Sequence, residues 1–259
     1  MQRQVRNLGL LLLAAASAVA AADAPYMGKW KLNPAKSDFG EDTLTLAQTA
    51  SGDMQLTAEG QSYTFKTDGK DYPALFGATA AWKQIDATTW EATEKMKGKV
   101  LSVDTLRVSA DSKTLTMESK GTKPNGEAFD DTTVYQRVTG ASGIFGKWKT
   151  KNMKMSSPSV VDIAPNGPDG LTWNVVDMHV VCASKFDGKD YPCVAETFGA
   201  GFTFAIKKAG PGSFEATVKN EGKVMWTSTY SVSADGKTLT EAGKNTQTNE
   251  KYKAVYDKQ

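Results

Sequence analysis

Apolar and polar residues alternate along most of the chain in short runs, and turn-forming residues separate the runs. In the first half the pattern predicts strands near 28–32, 43–49, 53–58, 61–67, 72–75, 80–85, 89–96, 99–109, 113–120 and 131–138. Ser51-Gly52-Asp53, Asp68-Gly69, Lys97-Gly98, Asp111-Ser112 and Pro124-Asn125-Gly126 supply turns between them. Threonine, valine and aromatic residues fill the runs, as a pleated surface favours. Beyond the N-terminal leader no stretch keeps a 3.6-residue apolar period long enough for a long helix, and only Asn33 to Ser37 suggests one short turn. The expectation is an all-β protein of antiparallel strands joined by hairpins.

The pattern then repeats. Gly28-Lys29-Trp30-Lys31 returns as Gly146-Lys147-Trp148-Lys149, and the Asp-Gly-Lys-Asp-Tyr-Pro of Asp68 to Pro73 returns as Asp187 to Pro192. Val108-Ser109-Ala110-Asp111 returns at Val232 to Asp235, and Val134-Tyr135 at Val255-Tyr256. The order is kept while the offset drifts between 118 and 124 residues, as small loop insertions would make it. A copy of about 110 residues is long enough to bury its own core. The chain therefore reads as two tandem domains, 24–138 and 146–259, joined by a linker at 139–145. Each is expected to be an antiparallel barrel or strongly curled sheet, with strands from the two copies kept apart.

Alignment of the copies also assigns strand faces. Val100, Leu106 and Val108 match Val224, Tyr230 and Val232, and equal parity puts each set on one face. Trp226, Ser228, Ser102 and Asp104 fall on the same face. One strand earlier, Trp90, Ala92, Glu94 and Met96 match Phe214, Ala216, Val218 and Asn220. If this face points inward, Glu94 and Asp104 are interior carboxyls that must be paired, protonated or wetted by a cavity, unless a bulge breaks the parity. Glu94, Asp104, Trp90 and Trp226 are thus the candidate cavity residues. In the repeated hexapeptide the Asp-Gly step suits a tight turn, and Lys70, Tyr72, Lys189 and Tyr191 are candidates for a ligand rim.

Composition narrows the partners. The chain holds 31 Lys and Arg against 29 Asp and Glu. Residues 1–22 have the form of a secretory signal peptide: Arg3 and Arg6, an apolar run from Leu8 to Ala16, then Ala18-Val19-Ala20 as a cleavage site. Cleavage after Ala20 would remove both arginines and leave 29 basic against 29 acidic residues, so the basic pI is no argument for a nucleic-acid partner. No later stretch is apolar enough to span a membrane, and a periplasmic or secreted protein is expected. A two-residue turn at Asp187-Gly188 would set Cys182 directly across a hairpin from Cys193, and export favours a disulfide between them. Tyr63 and Ala74 hold the matching positions in the first copy. His179 is the single histidine, which excludes a histidine metal cluster, and no phosphate loop, dinucleotide fingerprint or zinc-hydrolase motif occurs. No metal and no cofactor are expected.

The Gly-x-Trp at Gly28-Trp30 and again at Gly146-Trp148, each opening a first strand, resembles the mark of lipocalins. The stretch from Gly28 to Phe39 is similar to exported bacterial proteins described as lipocalin-like. This resemblance implies a barrel whose base is closed by the tryptophan, and the binding of a small apolar or amphipathic molecule. The copies are shorter than typical lipocalins and lack a helix after the last strand, which leaves room for a filled barrel. The expected function is a periplasmic or secreted binding or carrier protein. The alternatives are a structural or protein-interaction module of the cell envelope with filled barrels, and an enzyme working through carboxylates such as Glu94 and Asp104.

Overall fold

A computed structural model describes residues 24–40, 42–196 and 199–259. The expected signal peptide, residues 1–22, lies outside the described residues. The first copy contributes β1 (Gly28–Leu32), β2 (Thr43–Gln48), β3 (Met54–Ala58), β4 (Gln61–Phe65), β5 (Asp68–Pro73), β6 (Thr79–Gln84), β7 (Thr89–Met96), β8 (Lys99–Val108), β9 (Thr114–Thr122) and β10 (Ala128–Arg137). The second contributes β11 (Gly146–Lys154), β12 (Val160–Pro165), β13 (Gly170–Val175), β14 (Val180–Lys185), β15 (Tyr191–Ala195), β16 (Phe202–Gly210), β17 (Ser213–Asn220), β18 (Lys223–Val232), β19 (Thr238–Asn245) and β20 (Lys251–Lys258). Among the described residues, helical structure is confined to single turns at Pro34–Lys36, Leu75–Gly77 and Val176–Met178, and no helix is long and apolar enough to cross a membrane.

The strands form two ten-stranded antiparallel sheets. One is a closed barrel in the order β1, β12 to β20 and back to β1. The other runs β4-β3-β2-β11-β10-β9-β8-β7-β6-β5 and nearly closes, with β4 and β5 as its two edges. This corrects the expectation of one sheet per copy, because the opening strands are exchanged. β11 lies between β10 and β2 of the first copy, while β1 lies between β20 and β12 of the second. The two strands carry the same Gly-Lys-Trp-Lys, so either fits either groove. Chain connectivity decides: the short link from β10 to β11 closes most cheaply as a hairpin, and that leaves the second groove to β1.

The exchanged strands do the same work in both places. Trp30 and Trp148 are fully buried. Each indole Nε1 donates to a carbonyl four residues back, Tyr26 O and Ile144 O, both at 2.8 Å. A cation from the adjacent last strand lies over each ring, Lys258 on Trp30 and Arg137 on Trp148. The glycine of the motif has a steric reason. Gly146 sits at φ +138°, where a Cβ would lie 2.1 Å from Thr139 O.

The face assignment holds over most of β8 and β18 and breaks at one bulge in each. Glu94 faces Ser102 but Lys95 faces Val100, leaving Leu101 as the extra residue; Met225 is its counterpart on β18, opposite the step from Val218 to Lys219. Beyond the bulge Val100 is 46% exposed instead of inward, and Met225 is buried. The first Asp-Gly step is not a hairpin turn either. β4 and β5 are not paired, and Asp68 and Gly69 belong to β5, where they form an irregularity against β6. In the second copy the expected register is present, with Cys182 opposite Cys193 in a disulfide. The β14–β15 ladder covers only 180–182 with 193–195, and Asp187 bridges instead to Lys207 on β16. His179 stands in the left-handed region (φ 50°) after the turn at Val176–Met178, its Nδ1 3.2 Å from Glu196 Oε1.

Candidate functional site

The closed barrel contains a cavity of about 400 Å³, within the range of small-molecule sites. Trp173, Phe202, Phe204, Trp226 and Tyr230 give it aromatic walls, and the Cys182–Cys193 bridge forms part of another side. Two residues of the first copy complete the lining, Glu59 and Phe76. Phe76 stands at φ 54°, a conformation that a bulky side chain adopts only when its surroundings hold it there. Its carbonyl accepts from the Gly199 amide at 2.7 Å, and its ring lies 6.0 Å from Phe202 and 6.1 Å from Trp226.

A carboxylate sits at the polar end. Glu241 is buried, with Oε1 accepting from Tyr252 Oη at 2.7 Å and Ser228 Oγ at 2.9 Å, and Oε2 from Tyr256 Oη at 3.1 Å. Strand register assembles this group. Tyr230 lies opposite Glu241, and Ser228, Gly243 and Tyr252 form the next row across β18, β19 and β20. Gly243 leaves the room through which Tyr252 reaches the carboxylate, since a Cβ there would sit 2.2 Å from Tyr252 Cζ. Burial, and then the Glu241 charge, hold the hydroxyls of Tyr230, Tyr252 and Tyr256 protonated far above their ordinary range. They therefore act as donors.

Glu59 belongs to a second acidic group, on the side of the first copy. Burial, followed by the charge of Asp42, raises its carboxyl to about 7. Asp42 is itself raised to about 6, by burial, then by the charge of Glu250 and a hydrogen bond with it. Glu250 Oε2 is buried without a hydrogen-bond partner.

The sequence-predicted residues fall in two places. Trp226 lines the barrel cavity. Trp90, Glu94 and Asp104 belong to the other sheet, where Trp90 is buried in the core. Glu94 lines a pocket of about 330 Å³ at the end of that sheet, which Leu32, Ser159 and Met178 complete from the barrel side. Burial, and then the charge of Asp104, raises the Glu94 carboxyl to about 7. Burial raises Asp104 as well, against hydrogen bonds from Ser119 and Ser102, and its Oδ1 has no partner. The cation of that pocket is already engaged. Lys123 Nζ donates to Asp177 Oδ2 at 2.6 Å and to Ser157 O at 2.5 Å, joining the two copies through a buried ion pair.

Lys70, Tyr72, Lys189 and Tyr191 line neither cavity. Within each hexapeptide one aspartate carboxylate accepts from the tyrosine hydroxyl, Tyr72 to Asp68 and Tyr191 to Asp187, both at 3.1 Å. It also accepts from the amide of Lys70 or Lys189, and the second aspartate pairs with a lysine of the neighbouring hairpin, Lys95 or Lys219. The repeated letters thus build the same set of side-chain contacts twice, once on strand β5 and once in the segment leading into β15.

Glu241 and its hydroxyl ring escaped the sequence reading because the aligned position in the first copy is Met117. The available signal was parity: Glu241 follows the fully buried Leu239 by two residues on one strand. Compared with protein-family models, curated proteins and solved structures, the chain matches none of them.

Proposed function

We propose that this protein binds a small, largely apolar molecule inside its second barrel, and that it does so as a lipocalin-like protein outside the cytoplasm. The observation that carries this reading is the aromatic cavity of about 400 Å³ within a closed barrel. The Gly-x-Trp at each opening strand and the barrel architecture support the resemblance; the leader pattern and the disulfide support export. The first sheet fits a different role. Its middle is filled by aromatic side chains, so it serves as a scaffold that supplies Glu59 and Phe76 to the neighbouring cavity. Calorimetric titration with the neutral probe 1-naphthylmethanol tests the reading. One site per chain is expected, abolished by Val218→Trp, which fills the cavity. Absence of binding to the unmodified protein would overturn it.

A further inference from the structure

The barrel cavity shows an imbalance of charge. Two of its lining residues, Glu59 and Glu241, are carboxylic acids, and among the described residues no lysine, arginine or histidine lines it. Glu241 is buried and receives only neutral hydroxyl donors, from Ser228, Tyr252 and Tyr256. Such donors solvate a negative charge without cancelling it. The other walls are largely aromatic, with Trp173 and Tyr230 4.8 Å apart between centroids, and an aromatic ring attracts a cation placed over its face. The charged lining therefore favours positive charge, and the aromatic lining accommodates it. Among the described residues no three His, Cys, Asp or Glu side chains converge to hold a metal ion, so the geometry does not suit a bare inorganic cation.

We infer that the ligand is an amphipathic organic cation, an amine or quaternary ammonium on an apolar body, whose charged end lies against Glu241 while the body fills the aromatic cavity. This rests on the binding reading above and names the class of molecule bound. Desolvated aromatic faces add to the attraction of the carboxylate, and an anionic analogue meets two like charges without a counter-ion.

Three probes with one ring system separate the possibilities: 1-naphthylmethylammonium, 1-naphthylmethanol and 1-naphthoate, titrated calorimetrically at pH 8 into the full chain. The ammonium is expected to bind at least tenfold more tightly than the alcohol, and the carboxylate more weakly than both. Glu241→Gln is expected to remove the preference for the cation while leaving the affinity for the alcohol within about threefold. Because Glu241→Gln alters a buried network, Glu59→Gln provides a second variant, on the wall contributed by the first copy, expected to reduce the preference in part. Equal binding of alcohol and ammonium would overturn the inference and leave the cavity reading intact. Failure of all three probes would overturn both.

Discussion

Where β14 and β15 are stitched by Cys182–Cys193, the first copy carries Tyr63 and Ala74, and there β4 and β5 stay apart. The interiors differ in the same sense. In the first sheet Phe65 stacks on Trp82 at 4.5 Å, and Trp82 Nε1 donates to Tyr63 Oη at 3.0 Å. The position of Phe65 is taken in the second barrel by Ser184, which donates to Phe204 O at 2.9 Å, and that of Trp82 by Ile206. One half is plugged and left open at the seam; the other is hollowed and bonded across it. An empty interior forfeits contacts that a plug would make. A crosslink offsets part of that loss by restricting the unfolded chain. Duplication thus allowed one interior to open while the other kept the duties of a core.

The largest test of this comparison concerns which sheet each tryptophan serves. Trp30→Ala is expected to cost about 3–5 kcal/mol and to speed amide exchange in β12 and β20, although Trp30 belongs to the first copy. Trp148→Ala should do the same in β2 and β10. Loosening of β2 and β10 by Trp30→Ala would refute the strand exchange. Next comes the seam. Replacing both Cys182 and Cys193 by serine should lower stability by about 2–3 kcal/mol in denaturant titrations and free the amides of β14 and β15. A thiol count on the unfolded, unreduced protein should give none.

Smaller effects probe the buried acids. Asp104 aligns with Ser228, and its Oδ1 is unpartnered, so Asp104→Ser should stabilise the first sheet by about 1–2 kcal/mol. The reciprocal Ser228→Asp sets a second carboxylate against Glu241 and should destabilise; the reverse pair of signs would contradict the account of both interiors. Finally, Glu59 and Asp42 hold protons in the folded chain up to about 7 and about 6, above their ordinary 4.5 and 3.8. Between those limits the folded state binds more protons than the unfolded one. Their contribution is therefore full near pH 4 and is lost as pH rises through 6 to 7. Thermal melts should show stability falling over that window, and Glu59→Gln should flatten the fall and gain about 1 kcal/mol at pH 8.

Much of this fold was legible in the chain. Strands such as β3, β7 and β8 lie within a residue of the runs expected from alternation, because one buried face imposes a period of two. The cysteine pairing followed from the same counting. β5 was misplaced because Asp-Gly reads as a turn, whereas here the glycine sits in a bulge. The exchange of β1 and β11 was invisible for a physical reason: two strands with the same letters and the same buried tryptophan carry no information about which groove each enters. Parity brought Glu94 and Asp104 inward correctly, but only contacts between sheets could reveal that Glu59 and Phe76 finish a cavity in the opposite half.

The exchanged strands also set an order of assembly. The first sheet lacks the strand that joins β2 to β10 until residue 154 has been made, and the second barrel is completed by the first strand synthesised paired to the last. β1 gains its first partner when β12 is complete at residue 165 and its second, β20, only at the end of the chain, so until then Trp30 is exposed to any helper that holds nascent segments. Once it docks, each half is held by a strand of the other. A cut in the 139–145 link would therefore yield fragments that remain interlocked, and neither copy could be discarded in evolution without leaving an unfilled groove in its neighbour.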